Sequence, residues 1–163
     1  MIRIYIRKLN QGDDAHAVGR ALLRDAVGEK RLIFGPHGKP YAADGSVFFN
    51  ISHCQGAVGI AVGSRELGFD LEPKERTVKR KNFTLEKEEE IPPLTLWVLK
   101  ESYAKWSGEG VSLIRGTHVT PLGENRYKGA YNGKEAVLQA FAYDGFLGAI
   151  ACESIEEYEI KEM

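Results

Sequence analysis

Two acidic residues, Asp70 and Glu72, stand two positions apart in the segment LGFDLE at residues 67–72, which otherwise has the composition of a buried strand. Residues two apart in a β-strand share one face and lie about 6.6–7 Å apart along the chain. Two neighbouring carboxylates repel each other and are costly to remove from water. Mg²⁺, which prefers one or two carboxylates with water and phosphate oxygens, would relieve both problems. The pattern indicates a magnesium site, with solvated acids on an exposed sheet face as the alternative.

A third acid, Glu101, belongs to a helix predicted over residues 94–107. Helical spacing places it on one stripe, predicted to face inward, that comprises Leu94, Trp97, Val98, Glu101, Ala104 and Lys105. A Glu101–Lys105 pair at i, i+4 would stabilise the helix by only ~0.2–0.5 kcal/mol. That gain is too small to offset the burial of a charge. The position therefore favours a third metal ligand or a catalytic base.

Four basic side chains and one hydroxyl could bind an anion. Lys39 lies in a Gly- and Pro-rich loop, His53 follows Ser52 at the end of a predicted strand, and Arg24 and Lys105 belong to the two predicted helices. Each residue alone is compatible with an ordinary surface position. Together they predict a dispersed basic lining for a polyanion such as a nucleotide. The loop at residues 35–40 lacks the spacing of a Walker phosphate-binding loop.

These side chains must be positioned by a mixture of helices and strands. Alternation predicts strands near residues 1–7, 47–51, 57–62, 67–72, 127–131, 136–143 and 146–152. A first helix is predicted from Asp13 and Asp14, as capping residues, to Val27, with Gly28 as its end. Charge runs over residues 74–90 predict a solvated loop or helix start. Within them, the basic residues 79–81 could instead dock an acidic partner helix.

A weak internal repeat organises these elements. Residues 56–62 resemble residues 145–151 in length, glycine placement and apolar filling. The repeat predicts an α+β fold of two similar halves, residues 1–65 and 66–163, with a seam between them and the metal-binding acids in the second half.

Composition excludes several classes of protein. The 163 residues carry a net charge of −1, with 43% hydrophobic and 28% charged residues, so no overall charge attracts nucleic acid or anionic membranes. No apolar run approaches the ~20 residues needed to span a bilayer. Two cysteines, Cys54 and Cys152, are too few for a disulfide framework. We expect a cytoplasmic protein that binds neither nucleic acid nor membranes.

Four segments occur in an order that resembles the Sfp-type 4′-phosphopantetheinyl transferase family. They are Gly38-Lys-Pro-Tyr41, Phe49-Asn-Ile-Ser-His53, Leu67-Gly-Phe-Asp-Leu-Glu72 and Trp97-Val-Leu-Lys-Glu-Ser-Tyr-Ala-Lys105. The resemblance covers roughly residues 15–110. The stretch between Glu72 and Glu101 is shorter than is usual in the family. In the family this region helps to form the edge that binds the carrier protein, so the choice of partner does not follow from the resemblance.

The resemblance implies two pseudo-symmetric α/β halves, the 4′-phosphopantetheinyl transferase fold, with coenzyme A bound in the seam and a monomer that mimics a dimer. By matching position it implies these roles: Mg²⁺ ligands at Asp70, Glu72 and Glu101; nucleotide phosphate contacts at Arg24, Lys39 and His53, with Ser52 beside them; and a pyrophosphate contact at Lys105.

The implied reaction transfers 4′-phosphopantetheine from coenzyme A to a serine of an apo acyl or peptidyl carrier protein and releases 3′,5′-ADP. Glu101 would accept the serine proton, while Lys105 and His53 would stabilise the departing nucleotide. Two alternatives stay open: a coenzyme A-binding protein without transfer activity, and a Mg²⁺-dependent phosphohydrolase. The identity of the carrier is open as well.

Overall fold

The computed structural model describes residues 1–154 and 156–163, which form a mixed α/β structure with two α-helices and three sheets. Two 3-10 turns, Arg80–Asn82 and Val111–Arg115, flank the second helix. In chain order the elements are β1 (Ile2–Lys8), α1 (Ala15–Val27), β2 (Leu32–Phe34), β3 (Pro40–Ala42), β4 (Phe48–Cys54), β5 (Ala57–Gly63), β6 (Leu67–Pro73), α2 (Pro93–Ser107), β7 (His118–Gly123), β8 (Arg126–Tyr131), β9 (Lys134–Tyr143), β10 (Phe146–Cys152) and β11 (Tyr158–Glu162).

The first sheet has the strand order β11-β1-β5-β4, and α1 packs on it. The β1–β11 pair is parallel, and the other pairs are antiparallel. The Asp14 carboxylate caps α1 by accepting the His16 N–H at 3.0 Å, and Gly28 ends the helix with a φ of 77°. Leu22 and Leu23 are buried against the sheet, together with Gly19, because a 3.6-residue period places them on one face of α1.

The second sheet is antiparallel throughout, in the order β6-β10-β9-β8-β7, and α2 lies across β6 and β10. Gly68 permits a very close approach of helix and strand. A Cβ atom at Gly68 would lie 2.0 Å from the Ser102 carbonyl oxygen and 2.4 Å from the Trp106 nitrogen. Asp70 and Glu72 share the Gly68 face of β6, because strand side chains alternate, so both acids lie on the α2 side.

The two large sheets meet along their edge strands, β4 and β6. The Asn50 side-chain oxygen accepts the Phe69 N–H at 2.8 Å, and the Ser52 hydroxyl oxygen accepts the Leu71 N–H at 3.2 Å. Phe69 and Leu71 are themselves buried in a core shared by both sheets, as the sequence predicts for the non-acidic face of β6. Side chains of one edge strand thus satisfy backbone donors of the other. This contact is called the seam below.

The predicted helices and strands are confirmed. Most of their boundaries differ from the predicted ones by one or two residues. Four short or terminal strands, β2, β3, β7 and β11, were not predicted. The strand β11 belongs to the second predicted half of the chain but pairs with β1 in the first sheet.

The prediction of a solvated segment over residues 74–90 is wrong at Glu88. This side chain is 1% exposed and pairs with the Lys100 ammonium of α2 at 2.7 Å, while its oxygens accept the Leu85 and Val119 N–H groups at 2.8 Å. Arg80, in the basic run considered for partner docking, donates to the carbonyl oxygens of Glu88 and Ile91. These partners fold the charged segment onto α2.

The predicted inward stripe of α2 also needs correction. Two of its members, Val98 and Ala104, are buried as predicted. The other four, Leu94, Trp97, Glu101 and Lys105, are only half-buried, whereas residues outside the stripe are fully buried: Leu96, Leu99, Lys100 and Tyr103. The helix is enclosed on several sides, because the second sheet covers one face and the segment that follows β6 covers another. The stripe that carries Glu101 therefore borders the seam and not the centre of the core.

We predict that Gly68→Ala destabilises the protein by about 2–3 kcal/mol, because the new methyl group meets backbone atoms of α2 that cannot rotate away. Urea unfolding measures the change. Gly19→Ala is the control: its Cβ meets Val58 at an ordinary 3.5 Å and improves helix propensity, so stability should stay equal or rise. Equal stability of wild type and Gly68→Ala would contradict this close approach.

A second prediction concerns the buried ion pair. Lys100→Met leaves the Glu88 carboxylate buried without its cation and should cost about 3–5 kcal/mol in unfolding free energy. The matched control is Lys128→Met, which removes an exposed pair with Glu135 and should cost no more than about 1 kcal/mol. Similar losses in the two variants would show that burial of the Glu88–Lys100 pair has no particular importance.

Candidate functional site

Asp70 lies at the centre of a polar cluster in the seam. Its Oδ1 atom accepts hydrogen bonds from the Ser52 hydroxyl at 3.0 Å and from the Lys105 ammonium at 2.7 Å. Lys105 also donates to the Ser52 hydroxyl oxygen at 3.2 Å. Ser52 comes from β4, Asp70 from β6 and Lys105 from α2, so the cluster joins both sheets and one helix.

The second oxygen of Asp70 has a different environment. Asp70 is 3% exposed, and its Oδ2 atom has no hydrogen-bond partner within the described part of the chain. A buried carboxylate oxygen without a partner is costly, because its interactions with water are lost and nothing replaces them. This atom is therefore a candidate ligand for a cation or a donor that binds in the seam.

Glu72 lies one step further along the same face of β6. Burial raises the pKa of Glu72, the Asp70 carboxylate raises it further, and the nearby Arg76 guanidinium opposes both effects. Arg76 forms an ion pair with Glu72, and its guanidinium carbon lies 5.1 Å from the centre of the Trp97 ring. The Arg76 side chain is 38% exposed, against 11% for that of Glu72. A solvent-facing cation thus covers a largely buried acid.

Glu101 approaches the two acids from α2. Burial raises the pKa of Glu101 to about 7, and the carboxylates of Asp70 and Glu72 act in the same direction. The Lys105 ammonium, one helical turn away, partly offsets this rise. Asp70 and Glu72 thus lie close enough to Glu101 to influence its carboxyl group electrostatically. A carboxyl group with a pKa near 7 can exchange a proton at neutral pH.

The donor set fits a hard divalent cation, since carboxylate oxygens are its preferred ligands and Asp70 Oδ2 has no other partner. Across residues 1–154 and 156–163, however, no three His, Cys, Asp or Glu side chains are grouped closely enough to hold a metal. Instead, Lys105 pairs with Asp70 and Arg76 pairs with Glu72. Two cations of the chain itself neutralise the acids that would ligate the metal.

A cleft of about 410 Å³ opens beside the cluster at the C-terminal end of α2. Its volume is in the range of small-molecule sites. Polar and apolar residues from both predicted halves line it, among them His37, Lys39, Asn50, Ile51, Lys105 and Val111. The cleft thus lies where the β2–β3 hairpin faces the end of the helix that carries Glu101.

Lys39 links this hairpin to the helix. Its ammonium donates to the carbonyl oxygens of Leu67 at 2.9 Å and Lys105 at 2.8 Å, and it also pairs with Glu66. Burial lowers the pKa of Lys39, whereas Glu66 opposes that change. A cation at the last carbonyl groups of a helix is favourable. Lys39 therefore fixes the end of α2 in addition to lining the cleft.

The remaining predicted anion contacts lie elsewhere. His53 is exposed and lines a second cleft, of about 420 Å³, together with Glu72 and Arg76. Arg24 lines a third cleft, with Arg20 and Lys30, and pairs at 4.0 Å with Glu29. The Arg24 cleft shares no lining residue with the other two. The structure thus brings Ser52, Asp70 and Lys105 into contact but leaves Arg24 apart from them.

Three site residues were missed by sequence reasoning. His37 lines the first cleft, Asn50 bridges the edge strands, and Arg76 covers Glu72. The position of Arg76, four residues after Glu72, could have suggested an ion pair. No comparable signal exists for His37 or Asn50, whose partners come from distant parts of the chain.

A comparison with known proteins adds no identification. No protein-family model matches the chain, and no curated protein is significantly similar to it. Within the described residues, no helix has the length and apolar character needed to cross a membrane.

The raised pKa of Glu101 predicts a pH-dependent stability. Between the ordinary value of 4.5 and about 7, the folded protein binds a proton that the unfolded chain releases, so the free energy of unfolding falls as pH rises. Glu101→Gln removes this contribution. At pH 8 without metal, the variant should be more stable than wild type by about 1–3 kcal/mol, with little difference near pH 4.5. Parallel stability curves in denaturant titrations would contradict the shift.

Proposed function

We propose that the chain transfers the 4′-phosphopantetheine group of coenzyme A to a serine of an apo acyl or peptidyl carrier protein. The observation that carries the proposal is the buried, unpartnered Asp70 Oδ2, which lies near two further acids in the seam. A cleft of about 410 Å³, lined by apolar residues together with His37, Lys39 and Lys105, adjoins it. This combination suits a metal-bound polyphosphate better than a purely structural polar cluster.

The arrangement of strands supports a fold of two pseudo-symmetric halves. In the first sheet β1, β5 and β4 are neighbours in that order, and in the second sheet β6, β10 and β9 are neighbours in the same order. All four of these pairs are antiparallel, and in each set a helix follows the first strand along the chain. The seam between the two sets is then the expected binding site.

The residues of the seam have distinct chemical tasks under this proposal. Lys105 and His37 would face the phosphates of coenzyme A in the first cleft, where Lys39 keeps the end of α2 in place. Asp70, Glu72 and Glu101 would hold Mg²⁺, which requires the three carboxylates to move closer together than they lie in this structure. When bound, the ion would neutralise the negative charge that develops on the pyrophosphate.

Glu101 is the residue that we assign to accept the serine proton, because α2 brings its carboxyl group to the cluster and, with a pKa of about 7 in the metal-free protein, this group can exchange a proton near neutral pH. The serine oxygen then attacks the β-phosphorus of coenzyme A. The bond from that phosphorus to the bridging oxygen breaks, and 3′,5′-ADP leaves with the electron pair. Lys105, already beside Asp70, is placed to balance the new negative charge.

One observation favours a second candidate, a protein that binds coenzyme A without transferring its arm. Lys105 already neutralises Asp70, and Arg76 neutralises Glu72. Within the described ranges no three His, Cys, Asp or Glu side chains are grouped closely enough to hold a metal. In that case the seam would bind the nucleotide by its basic residues alone. The two candidates differ in whether product forms.

The test is incubation with coenzyme A, Mg²⁺ and a panel of apo carrier proteins, followed by intact-mass measurement. Transfer appears as a carrier heavier by one phosphopantetheine group. Binding of coenzyme A without any mass change would establish the second candidate, and release of 3′,5′-ADP in the absence of a carrier would indicate a hydrolase.

We predict that Asp70→Asn lowers the transfer rate by on the order of 100-fold or more, because it removes the charge that binds the cation. The control is Asp44→Asn, an exposed acid paired with Lys30 outside the seam, which should leave the rate unchanged. Full activity of Asp70→Asn at limiting Mg²⁺ would refute the proposed metal site.

A further inference from the structure

Arg76 is the least constrained charged member of the seam. It lies in the turn that follows β6, where its N–H donates to the Pro73 carbonyl oxygen at 3.0 Å. Its side chain reaches back four positions to Glu72 and lies over the Trp97 ring. Both contacts leave 38% of the side chain exposed. The guanidinium could therefore leave Glu72 for water by side-chain rotation alone.

Lys105, the other cation of the cluster, is held differently. Its ammonium contacts both Asp70 and Ser52, and the backbone carbonyl of the same residue accepts a hydrogen bond from Lys39. Its side chain is 26% exposed. Lys105 is thus fixed at both ends, whereas Arg76 depends on one carboxylate and one ring face.

The charges of the cluster show why a cation is needed at Glu72. Asp70 and Glu72 lie on the same face of β6, and both are largely buried: Asp70 is 3% exposed and the Glu72 side chain 11%. Without Arg76, the buried Glu72 carboxylate would face the Asp70 charge while Lys105 remains paired with Asp70. The Arg76 guanidinium occupies this position, and it pairs with one carboxylate, that of Glu72. A divalent cation could bind Glu72 and the free Asp70 Oδ2 together.

We infer that Arg76 is a displaceable internal counter-ion: it neutralises Glu72 in the ligand-free protein and is exchanged for a divalent cation when the seam is occupied. This inference rests on the proposed function, because it assumes that Glu72 and Asp70 bind the cation. It assigns Arg76 as a positioning residue that acts through Glu72. The apparent affinity for the cation then includes the cost of displacing the guanidinium.

The experiment measures binding of Mn²⁺ alone to the full chain, by calorimetry or by the loss of the free-ion electron paramagnetic resonance signal. Arg76→Gln should bind Mn²⁺ about three- to tenfold more tightly than wild type, because no competing charge has to leave. Arg76→Lys, which keeps the charge, should stay near wild type. Lys74→Gln is the charge-matched control; Lys74 is exposed and has no ion pair within the described ranges, so its change should stay below about twofold.

A second readout follows the guanidinium directly. Mn²⁺ quenches nearby fluorophores, so diamagnetic Mg²⁺ at saturating concentration is the probe here. It should change the Trp97 fluorescence of wild type, since Arg76 moves off the ring, and should have a much smaller effect in Arg76→Gln. The other tryptophan, Trp106, lies under Lys134 and supplies a constant background.

The outcomes separate the inference from the proposed function. If wild type binds Mn²⁺ but Arg76→Gln binds it equally or more weakly, the inference is overturned and the metal site survives. If neither protein binds Mn²⁺, the inference and the proposed function both fail. Tighter binding by Arg76→Gln, with Arg76→Lys and Lys74→Gln unchanged, supports the exchange.

Discussion

The meeting of two sheet edges, β4 and β6, is the contact on which the rest of the structure depends. Edge strands present unpaired backbone groups, and a direct β4–β6 ladder would merge the sheets into one. Here Asn50 and Ser52 satisfy the donors of Phe69 and Leu71 with side-chain atoms. The sheets therefore stay distinct while sharing a core. Because side chains and not backbone groups bridge the two edge strands, polar side-chain atoms such as Asp70 Oδ2 remain available in the seam.

This arrangement explains why acids can be buried where they are. Because α2 lies directly on Gly68, the face of β6 that carries Asp70 and Glu72 is covered by a helix and not by water. Their charges must then be balanced locally, and Lys105 and Arg76 do so. Burial first, and the charge of Asp70 second, raises the pKa values of Glu72 and Glu101. Such perturbation is typical of functional sites.

Much of the fold could be predicted from local pattern. The boundaries of α1 followed from an Asp cap and a terminal glycine, and the alternation in residues 67–72 predicted β6 with Phe69 and Leu71 inward. The strands β2 and β3 have three residues each, too few for a period to be visible. The burial of Glu88 could not be predicted, because its partner Lys100 belongs to another element and the surrounding run of acids resembles a solvated surface.

For the candidate site, sequence reasoning identified the acids but not their counter-ions. The i, i+2 spacing of Asp70 and Glu72 is a property of one strand, and the position of Glu101 follows from one helix. The contact of Lys105 with Asp70, and that of Lys39 with the end of α2, depend on how elements pack in three dimensions. Arg24 shows the converse case, since a basic residue on a helix carries no information about which cleft the helix borders.

The parallel pairing of β11 with β1 affects the order in which the molecule can form. Residues 158–162 supply the outer strand of a sheet whose other members end at residue 63, so that sheet cannot be completed until residues 158–162 have left the ribosome. Until then β1 has an open edge, which another chain could occupy. Contacts of such long sequence separation slow folding, because a large loop must close before they form. Pairing with β11 therefore covers the β1 edge late in folding and moves the open edge of the first sheet to a strand of five residues.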